Sequence, residues 1–129
     1  MLLLLCIVAC KDPYDFQPND PTKPDPPDPP VLVQPANGWD SNDFTYPQNV
    51  TFGWHALSGA LLYQIEVYRD SLLRSQYLSY SNTRVTQPLV TAQFGWGKYY
   101  WHVRAASRNW NNYTDWSEPF SFVLPNPAQ

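Results

Sequence analysis

The sequence predicts an all-β protein whose body is a seven-stranded antiparallel β-sandwich, and three observations carry that prediction. From residue 31 onward, short runs rich in Val, Tyr, Trp and Phe alternate in polarity with a period of two. Turn residues punctuate those runs at the spacing usual for a sandwich. No segment holds a 3.6-residue apolar period over ten residues, so no substantial helix is expected.

The chain divides before the body begins. Residues 1–9, "MLLLLCIVA", form an apolar run far shorter than the roughly twenty residues a spanning helix needs. The run has the length of a signal-peptide apolar region. It ends at Cys10 and switches at once to "KDPYDF". Residues 10–30 hold eight of the fourteen prolines. They have no apolar periodicity and too little hydrophobic surface to fold, so a disordered, polyproline-rich spacer is expected. At about 3.1 Å per residue, twenty such residues reach roughly 60 Å.

Within the body, "VLVQP" at 31–35 is a first strand ended by proline, and "PANGWDSNDFTYPQN" is a long polar connection. "VTFGWHA" turns Val50, Phe52 and Trp54 to one face. "LLYQIEVYRD" turns Leu61, Tyr63, Ile65 and Val67 inward, with Gln64, Glu66 and Tyr68 outward. Weaker strands are expected near 73–80 and 83–90. "KYYWHVRAAS" sends Tyr99, Trp101, Val103 and Ala105 inward and Tyr100, His102 and Arg104 outward, so that His102 is expected in solvent. "FSFVL" closes the body by residue 125, leaving 126–129 as a tail.

Residues 99–122 contain eight aromatic side chains. Their parity assigns Tyr99, Trp101, Phe120 and Phe122 to the core or its rim, so most of that density is architecture. Charge excludes some functions. Six basic and six acidic residues balance over 31–129, and the formal charge of −3 sits in residues 11–30. Without a basic face, nucleic acid and anionic lipid surfaces are poor partners.

Two resemblances sharpen the reading. "IVAC" resembles the lipobox of bacterial lipoproteins, which implies cleavage before Cys10, lipidation of that cysteine and an anchor in the cell envelope, with the outer membrane the expected one and surface exposure favoured by the acidic residues that follow. A tryptophan in the second strand, a tyrosine in the third and Y-x-W-x-V-x-A at 99–105 resemble a fibronectin type III, immunoglobulin-like domain over about residues 31–124. The resemblance implies that Trp54 and Tyr63 pack as a pair between the sheets. It also implies that the Tyr99 hydroxyl returns to upstream backbone as a tyrosine corner. "DWSEPFSF" resembles the Trp-Ser motif of related receptor domains, which implies that Arg104 stacks on Trp116.

No catalytic signature is present. Two histidines and no cysteine in the body make a poor metal site, and the five glycines form no phosphate-binding loop. No enzyme, cofactor or metal is expected. Binding falls to the loops. Trp110 and Tyr113 in "SRNWNNYTD", with Leu57 of "HALSG" beside them, are the favoured contacts. At the opposite end Trp39, Phe44 and Trp96 are expected to gather. Two readings of these rings stand: they contact a ligand, or they cap the open ends of the sandwich. A ligand would be an envelope protein or a glycan; a third role is that of a scaffold subunit in a larger membrane complex.

Overall fold

The computed structural model describes residues 16–79 and 85–128. The leader and Cys10 lie outside the described residues. Among the described residues eight strands form two sheets: β1 (Leu32–Gln34), β2 (Trp39–Asp40), β3 (Gln48–Trp54), β4 (Leu62–Tyr68), β5 (Gln76–Ser79), β6 (Leu89–Phe94), β7 (Gly97–Ala106) and β8 (Phe120–Leu124). One sheet has the order β1-β3-β6 and the other β2-β8-β7-β4-β5. This is the expected antiparallel sandwich of seven strands with one short strand added.

The added strand is β2, in the stretch read as a polar connection. It pairs in parallel with β8, Trp39 opposite Phe122 and Asp40 opposite Val123. Gly38, at φ 82°, supplies the left-handed turn that starts it. The Asn37 side chain accepts the Ser121 N–H at 2.9 Å. Two residues are too few to carry a period-two signal, so the pairing could not be read from polarity.

β6 also begins later than expected, and residues 91–94, read as loop, are strand. The in-register pairing of β3 with β6, from Gln48↔Phe94 to Gly53↔Leu89, explains it. That register points Val90, Ala92 and Phe94 into the core, where Phe94 is fully buried. The core is aromatic at its centre. The Phe52 ring lies 5.0 Å from Trp101 and 5.7 Å from both Phe94 and Phe122, in edge-to-face geometry. Trp54 and Tyr63 pack edge-on at 5.4 Å. The Tyr99 hydroxyl donates to the Gly95 carbonyl at 2.9 Å, which is the tyrosine corner.

Strand ends define two poles. The near pole holds the β3–β4 connection and residues 107–119. The far pole holds the β1–β3 crossing, the β4–β5 turn, Gly95 and Trp96 between β6 and β7, and the residues after β8.

Candidate functional site

The outward face of β4 and β7 is covered, against the expectation that its side chains meet solvent. Beyond Trp101 the edge of β7 is no longer paired with β8, and residues 114–117 take over through side chains. Ala105 N–H donates to Thr114 Oγ1 and Val103 N–H to Ser117 Oγ, both at 3.0 Å. The Thr114 and Ser117 amides return bonds of 2.9 Å to the carbonyls of Ala105 and Val103. Four short bonds lay this segment flat on β7 and place Trp116 over its face.

The result is a stack of alternating rings and charges. The Arg104 guanidinium sits 3.8 Å from the Tyr113 ring centre and 4.6 Å from that of Trp116. Its Nε donates to Gln64 Oε1 at 2.7 Å. Trp116 then stacks on His102 at 4.0 Å, with planes within 10°. His102 Nε2 meets Glu66 Oε1 at 3.0 Å, and Tyr68 donates to the same oxygen at 2.6 Å. The cation–π contact expected between Arg104 and Trp116 is therefore present. His102 is not solvated; it is 6% exposed because Trp116 lies on it. Burial outweighs Glu66 and holds the imidazole below its ordinary pKa. The cluster is a structural clasp, since each polar atom named is already occupied by a neighbour.

The loop residues favoured for binding turn out to be packed. Trp110 is 7% exposed and belongs to the core cluster, with its ring against Gly59. Leu57 packs on the same cluster, and its N–H donates to the Tyr63 hydroxyl at 2.9 Å. Of the two readings of these rings, Trp110 takes the capping one: a connection of thirteen residues between β7 and β8 is long enough to fold its tryptophan back into the open end of the sandwich. Tyr113 is half-buried, with Arg104 on one side and Phe16 edge-on at 4.5 Å.

Phe16 belongs to the segment expected to be a free spacer, and residues 16–30 instead lie against the near pole. The Asp20 amide donates to the Asn111 carbonyl at 3.0 Å, and the Asn111 amide donates to the Pro24 carbonyl at 2.8 Å. Asn111 Nδ2 reaches Asp25 Oδ1 at 2.6 Å, and Asn112 Nδ2 reaches Asn19 Oδ1 at 2.9 Å. Proline leaves carbonyls without competing donors of its own, and the two asparagines supply what those carbonyls and side chains accept. Composition hid this because the partners are some ninety residues away.

The far pole is different. Three of its aromatic rings stay outside, with Phe44 44% exposed, Trp96 50% and Trp39 38%, while Tyr46 packs on the core. Leu72 and Tyr77 are exposed beside them in the β4–β5 region. Trp39 has Phe122 behind it, ring centres 6.4 Å apart, and lines a groove of about 310 Å³ with residues of β1 and β3. Among the described residues no three His, Cys, Asp or Glu side chains gather as metal ligands. Among the same residues no helix is long and apolar enough to cross a membrane.

No family model and no curated protein sequence matches this chain. Among solved structures, the crystal structure of an Fn3-like protein from Clostridium thermocellum matches it with a TM-score of 0.51 at 22% sequence identity. The match covers 77% of this chain and 94% of that one. That likeness, with the two-sheet topology, gives the body a fibronectin type III-like sandwich fold.

Proposed function

We propose that this fibronectin type III-like module is a non-catalytic, lipid-anchored protein of the bacterial cell envelope that binds another envelope protein through its far pole. The observation that carries the reading is the distribution of exposed rings. Phe44, Tyr77 and Trp96 are all at or beside the far pole, while at the near pole Trp110 is buried, Tyr113 is held between Arg104 and Phe16, and Trp116 lies on His102. A chain tethered through Cys10 would meet the membrane with its near pole and present the other. Exposed aromatic side chains are what interface hot spots are made of. Phe44 and Trp96 therefore replace Trp110, Tyr113 and Leu57 as the contact residues.

The test is mild crosslinking in intact producing cells, purification through a C-terminal tag and mass spectrometry. One envelope protein, captured by the wild type and lost in Phe44→Ser/Trp96→Ser, is the expected result. Capture that persists in the double variant at constant stoichiometry would favour a scaffold subunit held by some other face. In parallel, Cys10→Ser is expected to move the protein from the membrane to the soluble fraction, as one site carries the whole anchor. A glycan reading is favoured by the groove beside Trp39.

A further inference from the structure

We infer that the groove beside Trp39 is a binding site for one ring of a neutral polysaccharide. The groove exists because the chain changes sheets there. It leaves the three-stranded sheet after Gln34 and joins the edge of the five-stranded sheet at Trp39. The crossing opens a notch of about 310 Å³ walled by Gln34, Pro35, Ala36, Trp39, Asn49 and Thr51. That is the low end of ligand-site volumes, suited to a single sugar ring with its chain running out on either side.

Three features of the wall select the ligand. The first is a fixed stacking platform. The Trp39 amide donates to the Ala36 carbonyl at 2.9 Å, the Gly38 amide to the Ser121 carbonyl at 2.7 Å, and Phe122 backs the indole. A ring held this way loses little freedom when a ligand lies on it, and an indole face suits the C–H face of a sugar.

The second is a set of unspent hydrogen-bonding groups lining the same groove. The Gln34 and Asn49 side-chain amides have no partner among the described residues, and the Thr51 hydroxyl shares a single bond of 2.8 Å with Thr91. Each amide presents a donor and an acceptor on adjacent atoms, which matches a pair of neighbouring sugar hydroxyls.

The third is the absence of charge. β3 and β6 carry no Asp, Glu, Lys or Arg, so the exposed face of the three-stranded sheet is neutral. Asp40, next to Trp39, spends its carboxylate on the Asn42 amide at 2.8 Å. Nothing in the notch would neutralise a uronate, sulfate or phosphate, so a neutral glycan is selected over an acidic one. A proline-rich peptide is disfavoured because such peptides dock between parallel aromatic ridges, and here one ring shares its groove with amides and a hydroxyl.

The test is calorimetric titration of the full chain with cellohexaose, laminarihexaose, mannohexaose and chitohexaose, with polygalacturonate as the charged control. At least one neutral hexaose is expected to saturate. Trp39→Ala should weaken it by at least about tenfold, the equivalent of about 1.4 kcal/mol. Asn49→Ala should weaken it about threefold and polygalacturonate should give no heat. If Trp39→Ala proves unfolded by circular dichroism, Asn49→Ala decides the matter, since its side chain is exposed. No saturation by any of the four, equal affinity in the groove variants, or equal binding of polygalacturonate overturns the assignment. Phe44→Ser/Trp96→Ser should leave sugar binding unchanged, so failure here and failure of the protein-partner reading are separable.

Discussion

The two poles of the sandwich start from the same materials and use them oppositely. "SRNWNNYTD" at the near pole and "NGWDSNDFTY" at the far pole both scatter aromatic rings among Asn, Asp, Ser and Thr. At the near pole Trp110 enters the core and Tyr113 is sandwiched. At the far pole Phe44 and Trp96 face solvent. Chain length between strands decides the difference. β7 and β8 are thirteen residues apart, enough for Trp110 to double back over the open end. Between β6 and β7 there are two residues, Gly95 and Trp96, and no path returns that indole to the interior. The other far-pole turns are pinned by aspartates capping their own backbone. Asp43 accepts the Thr45 amide and hydroxyl at 3.0 and 2.7 Å, and Asp70 accepts the Ser75 amide at 2.7 Å. Those bonds lower both carboxyl pKa values and fix the loops that carry the exposed Phe44 and Leu72.

The sharpest way to break this comparison is to truncate one tryptophan at each pole. Trp110→Ala is expected to cost about 3–5 kcal/mol in urea unfolding, the usual penalty for emptying a buried aromatic site. Trp96→Ala should stay within about 0.5 kcal/mol of wild type, as surface changes do. Equal costs would mean that the poles do not differ in the way described. The next effect in size belongs to Tyr99, whose corner holds Gly95 in place just before Trp96. Tyr99→Phe removes a bond to a carbonyl that water can partly reach, so a loss of about 1–2 kcal/mol is expected. Burial also pushes the Tyr99 and Tyr68 phenols up to about 12 from the ordinary 10. The folded state therefore resists their ionisation; their contribution is complete below pH 10 and falls away as the pH rises toward 12. Unfolding midpoints measured from pH 9 to 12 should decline, and Tyr99→Phe should flatten the decline.

His102 sharpens the comparison from the acid side, since it links the near-pole clasp to the strand beneath it. Its imidazole is held below the ordinary 6.5, chiefly by burial under Trp116 and with Arg104 adding to it, against the opposing pull of Glu66. The unfolded chain then protonates first. Stability is complete above pH 6.5 and declines as the pH falls below it, with a slope no steeper than about 1.4 kcal/mol per pH unit for one proton. Thermal midpoints at pH 7 and pH 5 should differ in the wild type by more than in His102→Gln. An equal difference would mean that Trp116 does not shield the ring.

Much of the sandwich was legible because period-two polarity and inward parity are local. Val50, Phe52, Trp54, Tyr63, Ile65 and Trp101 occupy the faces their spacing assigns. The tyrosine corner and the Arg104–Trp116 stack were legible through resemblance to known motifs. What local pattern could not give was the fate of side chains whose partners come from elsewhere in the chain. Gln64 and His102 have outward parity and are nonetheless buried, since Arg104 and Trp116 lie over them, and Tyr68 is buried edge-on against His102. Trp39 reads as loop and is strand, because its pairing is with β8 more than eighty residues on. Trp110 and Trp96 look alike in composition, and only strand ends, which sequence places loosely, tell them apart.

The smallest expected effect concerns the contact that gives the near pole its cover. Asn111 is its hinge: the backbone of Asn111 takes and gives one bond each to Asp20 and Pro24, and its side chain holds Asp25. Asn111→Asp keeps the shape, removes the donor and sets a carboxylate against Asp25. Global stability should change by less than about 1 kcal/mol, because the two backbone bonds survive and the side-chain bond is exposed. Local opening is the sensitive readout, since segments with few buried contacts open at a small fraction of the global free energy. Hydrogen exchange at the amides of Asp20 and Asn111 should speed up several-fold in Asn111→Asp and recover partly at high salt, which screens the new repulsion. Unchanged exchange would mean that the backbone bonds of Asn111, with Asn112 on Asn19 and Phe16 on Tyr113, hold residues 16–30 without the Asp25 contact. The strap over the near pole would then be a backbone feature indifferent to the side chain at position 111, and its contrast with the open far pole would stand.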